Sequence, residues 1–225
     1  MYRGRSRTGM VRCVVMLLIC QLIQVGVHES LGRSSSGSAY GGEFNEVLAI
    51  GEPAPDLEGL MGVDEKPFDP KSSQDADVVV IAFTCNTCPY AMDYESRLIE
   101  LAQNFKIDRK SVVVLAINSN DIPADSLAAM KARAEERKYS FGYLKDSGQV
   151  VARKFGASKT PEFFVLDRDR KVVYMGAFDD NTDRSKVTAH YVKDAVEAVL
   201  AGTKVDIRET PPVGCRIRAA KRERK

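Results

Sequence analysis

A short, continuous run of β-branched and other apolar residues, Val78–Phe83, is followed directly by the cysteine pair Cys85 and Cys88, and Pro89 comes next. A run of this length and composition predicts a central strand that is covered on both faces of its sheet. Proline is favoured in the first turn of a helix, and apolar residues recur at helical spacing after Pro89, so a helix is predicted to begin there. The two cysteines are therefore expected where a buried strand passes into a helix.

The same alternation of apolar runs and amphipathic stretches extends from about residue 43 to about residue 204 and predicts one domain. We expect further strands at residues 111–117, 141–144, 162–167 and 172–178, and further helices at residues 127–139, 149–155 and 188–200. The turn at residues 168–170 is short, which favours an antiparallel hairpin. Strands that alternate with helices, then a hairpin and a closing helix, predict an α/β fold with a mixed central sheet flanked by helices.

Residues 1–39 do not have the pattern of a folded domain. Four arginines lie before or within the start of an apolar run at residues 11–27, and a small, polar stretch follows at residues 34–39. This order predicts a signal peptide or an N-terminal membrane anchor, followed by a linker, and hence export to the periplasm or another extracytoplasmic compartment. Cleavage after Ala39 and cleavage near Val27 both fit the sequence, and membrane contact is expected only through an uncleaved N-terminus.

The charge of the chain limits its partners. The formal net charge is +2, which predicts no nucleic-acid partner for the body of the protein. Residues 216–225 are different, because they contain six basic side chains and a single acidic one. We expect residues 205–225 to form a C-terminal tail with a basic end, which is either solvated and frayed or directed to an anionic partner.

The cysteine content points to chemistry rather than to scaffolding. Of the five cysteines, Cys13 and Cys20 lie in the N-terminal segment, and Cys85, Cys88 and Cys215 remain for the domain and its tail. Three cysteines are too few for a disulfide-stapled framework. Cys215 is either a free terminal cysteine or a third thiol that forms a disulfide with the pair, in the same chain or with another subunit.

A Cys-x-x-Cys pair at a helix start suits thiol–disulfide exchange. Unpaired N–H groups and the positive end of the helix dipole stabilise a thiolate there and lower its pKa, and the second cysteine can resolve a mixed disulfide. A structural disulfide, in a non-catalytic binding module, is one alternative. A zinc site of Cys85, Cys88, Cys215 and His190 is another, but no second close pair of ligands is present. We predict no metal and no other cofactor.

Polar residues follow the second predicted strand. Asn118, Asn120 and Asp121 are expected to cap the strand end and form a turn rather than to line the site. Pro123 and Asp125 are turn signals before the next helix.

Four blocks of the sequence carry a resemblance to a known family. They are Gly51-Glu52-Pro53-Ala54-Pro55, Ala82-Phe83-Thr84-Cys85-Asn86-Thr87-Cys88-Pro89-Tyr90, Ala116-Ile117-Asn118-Ser119-Asn120-Asp121 and Thr160-Pro161-Glu162-Phe163-Phe164. Together they resemble the peroxiredoxin-like redoxin branch of the thioredoxin superfamily, which is grouped with alkyl hydroperoxide reductase and thiol-specific antioxidant. The resemblance runs from about residue 47 to residue 215 and implies a thioredoxin-like fold.

The resemblance also implies roles for individual residues. Cys85 matches the attacking thiolate, and Cys88 matches the cysteine that resolves. Pro161, preceded by Thr160, matches the cis-proline that faces the pair and helps to position the substrate. Thioredoxins often carry a buried acid in the strand before the pair, and Val78–Phe83 contains none.

Two activities are consistent with this resemblance. The partners would be protein thiols and disulfides in one case and a hydroperoxide in the other, with a separate dithiol electron donor in both. Peroxiredoxins place a threonine and a proline at fixed spacings before the reacting cysteine. Those positions hold Ala82 and Val78 before Cys85, and Cys85 and Ile81 before Cys88. The predicted activity is therefore thiol–disulfide exchange, and peroxide reduction is the alternative.

Overall fold

A six-stranded mixed sheet is the framework of the protein, as seen in a computed structural model that describes residues 41–107 and 111–219. The strands of these residues are β1 (Met61–Gly62), β2 (Val78–Phe83), β3 (Val112–Asn118), β4 (Gly142–Lys145), β5 (Lys159–Thr160), β6 (Glu162–Leu166), β7 (Val172–Gly176) and β8 (Cys215–Arg216). The α-helices are α1 (Pro89–Ile107), α2 (Leu127–Arg137), α3 (Val150–Phe155) and α4 (Tyr191–Leu200). Strands β5 and β8 form a separate antiparallel pair, and the other six form the sheet.

Strand β2 lies inside the sheet, in the strand order β1-β4-β3-β2-β6-β7. It pairs in parallel with β3 and antiparallel with β6, so that Val80 lies beside Val114 on one side and Val165 on the other. All six of its residues are buried. The prediction of a central strand covered on both faces is confirmed.

Helices cover both faces of the sheet, and the residues of β2 alternate between the two cores. On one face, Val80 packs in a cluster with Leu98 of α1 and Val196 of α4. On the other face, Ile81 packs in a cluster with Phe155 of α3. The predicted α/β class, with a mixed sheet flanked by helices, is confirmed.

Most predicted elements are present, with small differences at their ends. The antiparallel hairpin of β6 and β7 is confirmed. Helix α2 ends at Arg137 because Lys138 adopts a left-handed conformation, with φ of 55°, and its N–H caps the helix. Helix α4 begins at Tyr191 rather than at residue 188, since the N–H of Thr188 donates instead to the carboxylate of Asp180, at 2.9 Å. The two-residue strands β1 and β8 were not predicted, because two residues show no periodicity.

The described part of the predicted C-terminal tail lies along the domain. The N–H of Thr210 donates to the carbonyl of Met175 at 3.1 Å, and β8 then pairs with β5. The expectation of a frayed end is wrong for Arg216 and Arg218. Arg216 belongs to β8, and the N–H of Arg218 donates to Oδ1 of Asn120 at 2.7 Å. Backbone groups of this segment therefore find partners in the domain instead of water.

Two predicted segments lie outside the described residues. These are the N-terminal signal or anchor at residues 1–39 and the last basic residues, 220–225. Within residues 41–107 and 111–219, no helix has the length and apolar character needed to cross a membrane.

A buried ion pair joins α1 to the loop that follows β7. One terminal nitrogen of Arg97 donates to Asp179 at 2.6 Å and to the carbonyl of Asn181 at 2.8 Å. The side chains of Arg97 and Asp179 are only 7% and 2% exposed. Because the cysteine pair lies at the start of α1, this ion pair helps to fix the helix that positions the site.

Replacement of Arg97 by methionine should leave the Asp179 carboxylate buried without its cation. We expect Arg97→Met to lower the free energy of unfolding by about 3–5 kcal/mol, measured by urea denaturation. The matched control is Arg184→Met, because Arg184 pairs with Glu100 at 2.6 Å but both side chains are largely exposed, at 64% and 44%. Its loss should be at most about 1 kcal/mol. Equal losses in the two variants would contradict this interpretation.

Candidate redox site

Both cysteines of the pair lie in the connection between β2 and α1, as predicted. Cys85 and Cys88 are 6% and 2% exposed, respectively, and both are free thiols. The carbonyl of Cys88 accepts a hydrogen bond from the N–H of Met92 at 3.0 Å, so the first turn of α1 begins at this cysteine. The fold thus holds two reduced sulfurs at a helix start, in the mostly buried setting that the sequence indicated.

The segment predicted to position the substrate faces the pair. The Thr160–Pro161 peptide bond is cis. The sulfur of Cys85 lies 3.4 Å from the hydroxyl of Thr160, and the thiol of Cys88 donates to the carbonyl of Thr160 at 3.0 Å. Thr160 therefore contacts both sulfurs. Its side chain meets the sulfur of Cys85, and its backbone carbonyl meets the sulfur of Cys88.

A buried carboxylate, Asp125, holds the loop between the cysteines. It accepts hydrogen bonds from the Asn86 N–H at 2.7 Å and from the Thr87 hydroxyl at 2.9 Å. It also accepts from the side-chain amides of Asn118 and Asn120, each at 2.9 Å. Asp125 is 0% exposed. The expected turn is present, because the N–H of Asn120 donates to Oδ1 of Asn118 at 3.1 Å, but both asparagines also bind the same carboxylate as the loop.

A second buried acid, Glu162, lies next to the Thr160–Pro161 segment that faces the pair. It is 3% exposed and accepts from the backbone N–H groups of Ser158 and Lys159, at 2.8 and 3.0 Å. Burial raises the pKa of its carboxyl group. These bonds fix the chain on the N-terminal side of Thr160 and Pro161.

Sequence analysis missed both acids as parts of the site. Asp125 was interpreted only as a turn signal, and no sequence spacing links it to the cysteines 37 or more residues earlier. Glu162 did carry a signal, because a lone charge at the start of the apolar run 162–166 requires a partner when that strand is buried. The buried acid that thioredoxins carry in the preceding strand is absent from β2, and here a carboxylate comes from the segment after β3 instead.

The third cysteine is brought to the same place. Cys215 lies in β8, opposite Thr160 in the register of the β5–β8 pair. Its side chain packs against the small cluster formed by Cys85, Cys88 and Ala91, and it is less buried than the other two cysteines. Of the two interpretations left open by the sequence, a thiol adjacent to the pair is the one that this placement favours.

The three thiols have different acidities. Burial raises the pKa of Cys85, against the hydrogen bond from the Thr160 hydroxyl. Burial alone would raise the pKa of Cys88. Interactions with the Cys215 thiol and the Ala91 backbone have the larger effect, so the pKa of Cys88 is lowered. The contact with Cys88 and burial raise the pKa of Cys215 to about 11. The lowering expected at the helix start is thus found at Cys88 and not at Cys85.

Cys85 lines a narrow surface recess beside the cis-proline. Other residues of the recess include Met92, Arg133, Pro161 and Phe163. Arg133 is already paired with Glu95, at 2.8 Å. The recess has room for about one water molecule, and Met92, which is 47% exposed, lies at its edge.

The alternative zinc site would require Cys85, Cys88, Cys215 and His190 to lie together. Among residues 41–107 and 111–219, no group of three or more His, Cys, Asp or Glu side chains is arranged to hold a metal ion. His190, the fourth ligand of that hypothesis, lies at the N-terminal end of α4.

A buried strand, a Cys-x-x-Cys pair at a helix start and a Thr–cis-Pro segment opposite it define a dithiol protein of thioredoxin-like fold. Comparison with protein families agrees, since the model of the AhpC/TSA family matches residues 50–175. The chain belongs to the AhpC/TSA family, a group of thioredoxin-like redoxins. The resemblance inferred from the sequence is therefore confirmed.

Solved structures give the same fold. A hypothetical protein from Sinorhizobium meliloti is 34% identical, with a TM-score of 0.72, over 79% of this chain and 98% of that chain. An uncharacterized conserved protein from Geobacillus kaustophilus is 33% identical, with a TM-score of 0.72, over 80% and 96% of the two chains. A thiol:disulfide interchange protein from Chlorobium tepidum, 18% identical over 68% and 98%, shares the fold with a TM-score of 0.53. Among curated proteins, none matches the chain.

The contact between Thr160 and Cys85 predicts a pH effect. The Thr160 hydroxyl stabilises the Cys85 thiolate, so Thr160→Val should raise the pKa of Cys85 further. The midpoint of the pH profile for alkylation of Cys85, measured on its own peptide by mass spectrometry, should move up by about one pH unit, because a hydrogen bond to a charged group contributes roughly 1.5 kcal/mol.

Thr203→Val is the control for this experiment. The hydroxyl of Thr203 donates to the carbonyl of Ala198 at 3.2 Å on the protein surface, away from the cysteines. Its profile should match the wild type. A midpoint for Thr160→Val that is unchanged or moves down would show that the hydroxyl does not stabilise the thiolate.

Proposed function

We propose that the protein is an exported thiol–disulfide oxidoreductase, in which Cys85 forms the mixed disulfide with the substrate and Cys88 resolves it. The observation that carries this proposal is the contact of Thr160, next to cis-Pro161, with both sulfurs of a Cys-x-x-Cys pair. A structural disulfide would not need a substrate-positioning segment against it.

Position beside Pro161 favours Cys85 as the sulfur that meets the substrate. Cys85 lines the recess next to this proline, whereas the Cys88 thiol is already bonded to the Thr160 carbonyl. The exposed side chains of Tyr90 and Met92, 41% and 47% accessible, lie on the first turn of α1 next to the pair. An apolar margin of this kind suits a protein substrate, whose thiol or disulfide would approach Cys85 from this side.

Acidity favours Cys88 as the resolving thiol. When Cys85 attacks a substrate disulfide, one substrate sulfur leaves as a thiolate and the other remains bound to Cys85. The Cys88 thiolate, whose pKa is lowered, then attacks the Cys85 sulfur. The Cys85–Cys88 disulfide forms and the second substrate sulfur leaves with its electron pair. In the reverse direction, the same low pKa makes Cys88 the better leaving group.

A separate dithiol donor would return the pair to the reduced state. Protein thiols and disulfides are the proposed partners, and the net charge of +2 gives no reason to add a nucleic acid. Export is proposed from the N-terminal sequence pattern at residues 1–39, and fractionation of cells that express the full chain tests it. Recovery of the protein in the cytoplasm would contradict export.

Hydroperoxide reduction is the second candidate, because the chain belongs to the AhpC/TSA family. The positions at which peroxiredoxins place a threonine and a proline before the reacting cysteine hold Ala82 and Val78 here, which argues against peroxide reduction. No other cationic side chain shares the recess of Cys85 with Arg133 among the described residues, and Arg133 is paired with Glu95. Exchange is therefore the activity that we propose first.

Reduction of insulin disulfides in the presence of dithiothreitol tests the proposal. We expect Cys85→Ser to lose the activity of the wild type above the uncatalysed rate, because no mixed disulfide forms at the accessible position. Cys20→Ser, which removes a thiol of the N-terminal segment, is the matched control and should retain full activity. Insulin reduction by Cys85→Ser at the wild-type rate would exclude the proposed mechanism.

A parallel assay separates the two candidates. The wild type is supplied with hydrogen peroxide in place of insulin, with the same dithiothreitol, and thiol consumption is followed. We expect little consumption above background. Consumption that is fast and depends on Cys85, together with slow insulin reduction, would show a peroxidase instead.

A further inference from the structure

The sulfur of Cys88 has two other thiols nearby. Cys88 belongs to the same short loop as Cys85, and it contacts the side chain of Cys215, which packs against the cluster of Cys85, Cys88 and Ala91. The Cys88 thiol also donates to the Thr160 carbonyl, and Thr160 is the register partner of Cys215 in the β5–β8 pair. One sulfur is thus placed to bond with either of two neighbours.

The position of Cys215 is fixed on both sides of the residue. Before it, Gly214 approaches Thr160 so closely that a Cβ at Gly214 would overlap the Thr160 carbonyl oxygen. After it, the N–H of Ile217 donates to the carbonyl of Ser158 at 3.0 Å, and the N–H of Arg218 donates to Asn120. The carbonyl of Arg218 also accepts from the N–H of Asp121 at 2.8 Å. A segment with these bonds holds the third thiol against the pair.

We propose that Cys215 is a third redox-active thiol, which attacks Cys88 in the Cys85–Cys88 disulfide and carries the disulfide to the surface for a dithiol donor. This inference rests on the proposed function, because it needs the Cys85–Cys88 disulfide to form during turnover.

The exchange step is balanced without any further oxidant. The Cys215 sulfur, once deprotonated, attacks the sulfur of Cys88. The Cys85–Cys88 bond breaks, and Cys85 leaves as a thiolate. Cys85 then takes up one proton, which balances the proton that Cys215 lost. The product is a Cys88–Cys215 disulfide with a reduced Cys85 that is ready for the next substrate. A dithiol donor then reduces the Cys88–Cys215 bond and is itself oxidised.

Burial and charge give this step a direction. Cys215 is less buried than the other two cysteines, so a disulfide at Cys215 is the one that a bulky donor can reach. In the reduced protein, contact with Cys88 contributes most to the raised pKa of Cys215. Once Cys88 is in a disulfide, its sulfur carries no negative charge, so this contribution to the pKa of Cys215 is lost. Oxidation of the pair therefore makes the Cys215 thiolate easier to form at the stage when the relay needs it.

Disulfide mapping of the full chain tests this transfer of the disulfide from Cys85–Cys88 to Cys88–Cys215, which we call the relay. Reduced wild-type protein is mixed with insulin in single turnover, quenched in acid, blocked with N-ethylmaleimide and mapped by mass spectrometry, which assigns Cys13 and Cys20 separately. We expect the Cys85–Cys88 disulfide first and the Cys88–Cys215 disulfide after it. A Cys85–Cys88 disulfide that persists, with no Cys88–Cys215 disulfide at any time, would overturn the relay and leave the proposed function intact. No disulfide among the three would overturn both.

The turnover rates of Cys215→Ser test the relay a second time. This variant should still form the Cys85–Cys88 disulfide in single turnover. Its multiple turnover with reduced thioredoxin as the donor should be slower by about tenfold or more, because the buried disulfide is attacked directly. Wild-type multiple turnover in Cys215→Ser would contradict the relay. Cys20→Ser is again the matched control and should not change either rate.

Discussion

The hydrogen bonds made by the buried carboxylate of Asp125 are the constraint on which the redox site depends. Two of them come from the loop between the cysteines, at Asn86 and Thr87, and two come from Asn118 and Asn120 at the end of β3. One side chain therefore ties the dithiol loop to the sheet. Because a buried donor without an acceptor costs about 1–3 kcal/mol, this loop has little freedom to leave the position in which both sulfurs meet Thr160.

The side of the site opposite the dithiol loop is made by Thr160 and by strand β8. Thr160 contacts both sulfurs of the pair, and β8 places Cys215 beside it. The acidities follow from this arrangement. Cys85 is buried with the Asp125 charge nearby, so its pKa is raised, whereas Cys88 lies beside a thiol and a helix-start N–H, so its pKa is lowered. Burial, the neighbouring thiol and peptide N–H groups thus set which sulfur of the pair carries the negative charge.

The parts that the sequence predicts are those with local signals. The apolar run Val78–Phe83, the cysteine spacing and Pro89 predict the central strand, the dithiol and the start of α1, and the resemblance adds Thr160 and Pro161 opposite the pair. Asp125 could not be assigned, because the loop between the cysteines and the end of β3, which supply its partners, are brought together only by the folded sheet. The C-terminal segment was missed for a similar reason. A two-residue strand has no periodicity, and the basic composition around Cys215 resembles that of a solvated tail.

The proposed mechanism requires the Cys85–Cys88 pair to cycle between dithiol and disulfide. Its reduction potential, measured by equilibration with glutathione buffers and mass-spectrometric mapping of the trapped thiols, tests this claim directly. We predict a value between about −120 and −270 mV, the range of thioredoxin-fold exchange proteins. A value below about −300 mV, or a pair that is reduced only when the protein unfolds, would mean a structural disulfide and would contradict the account.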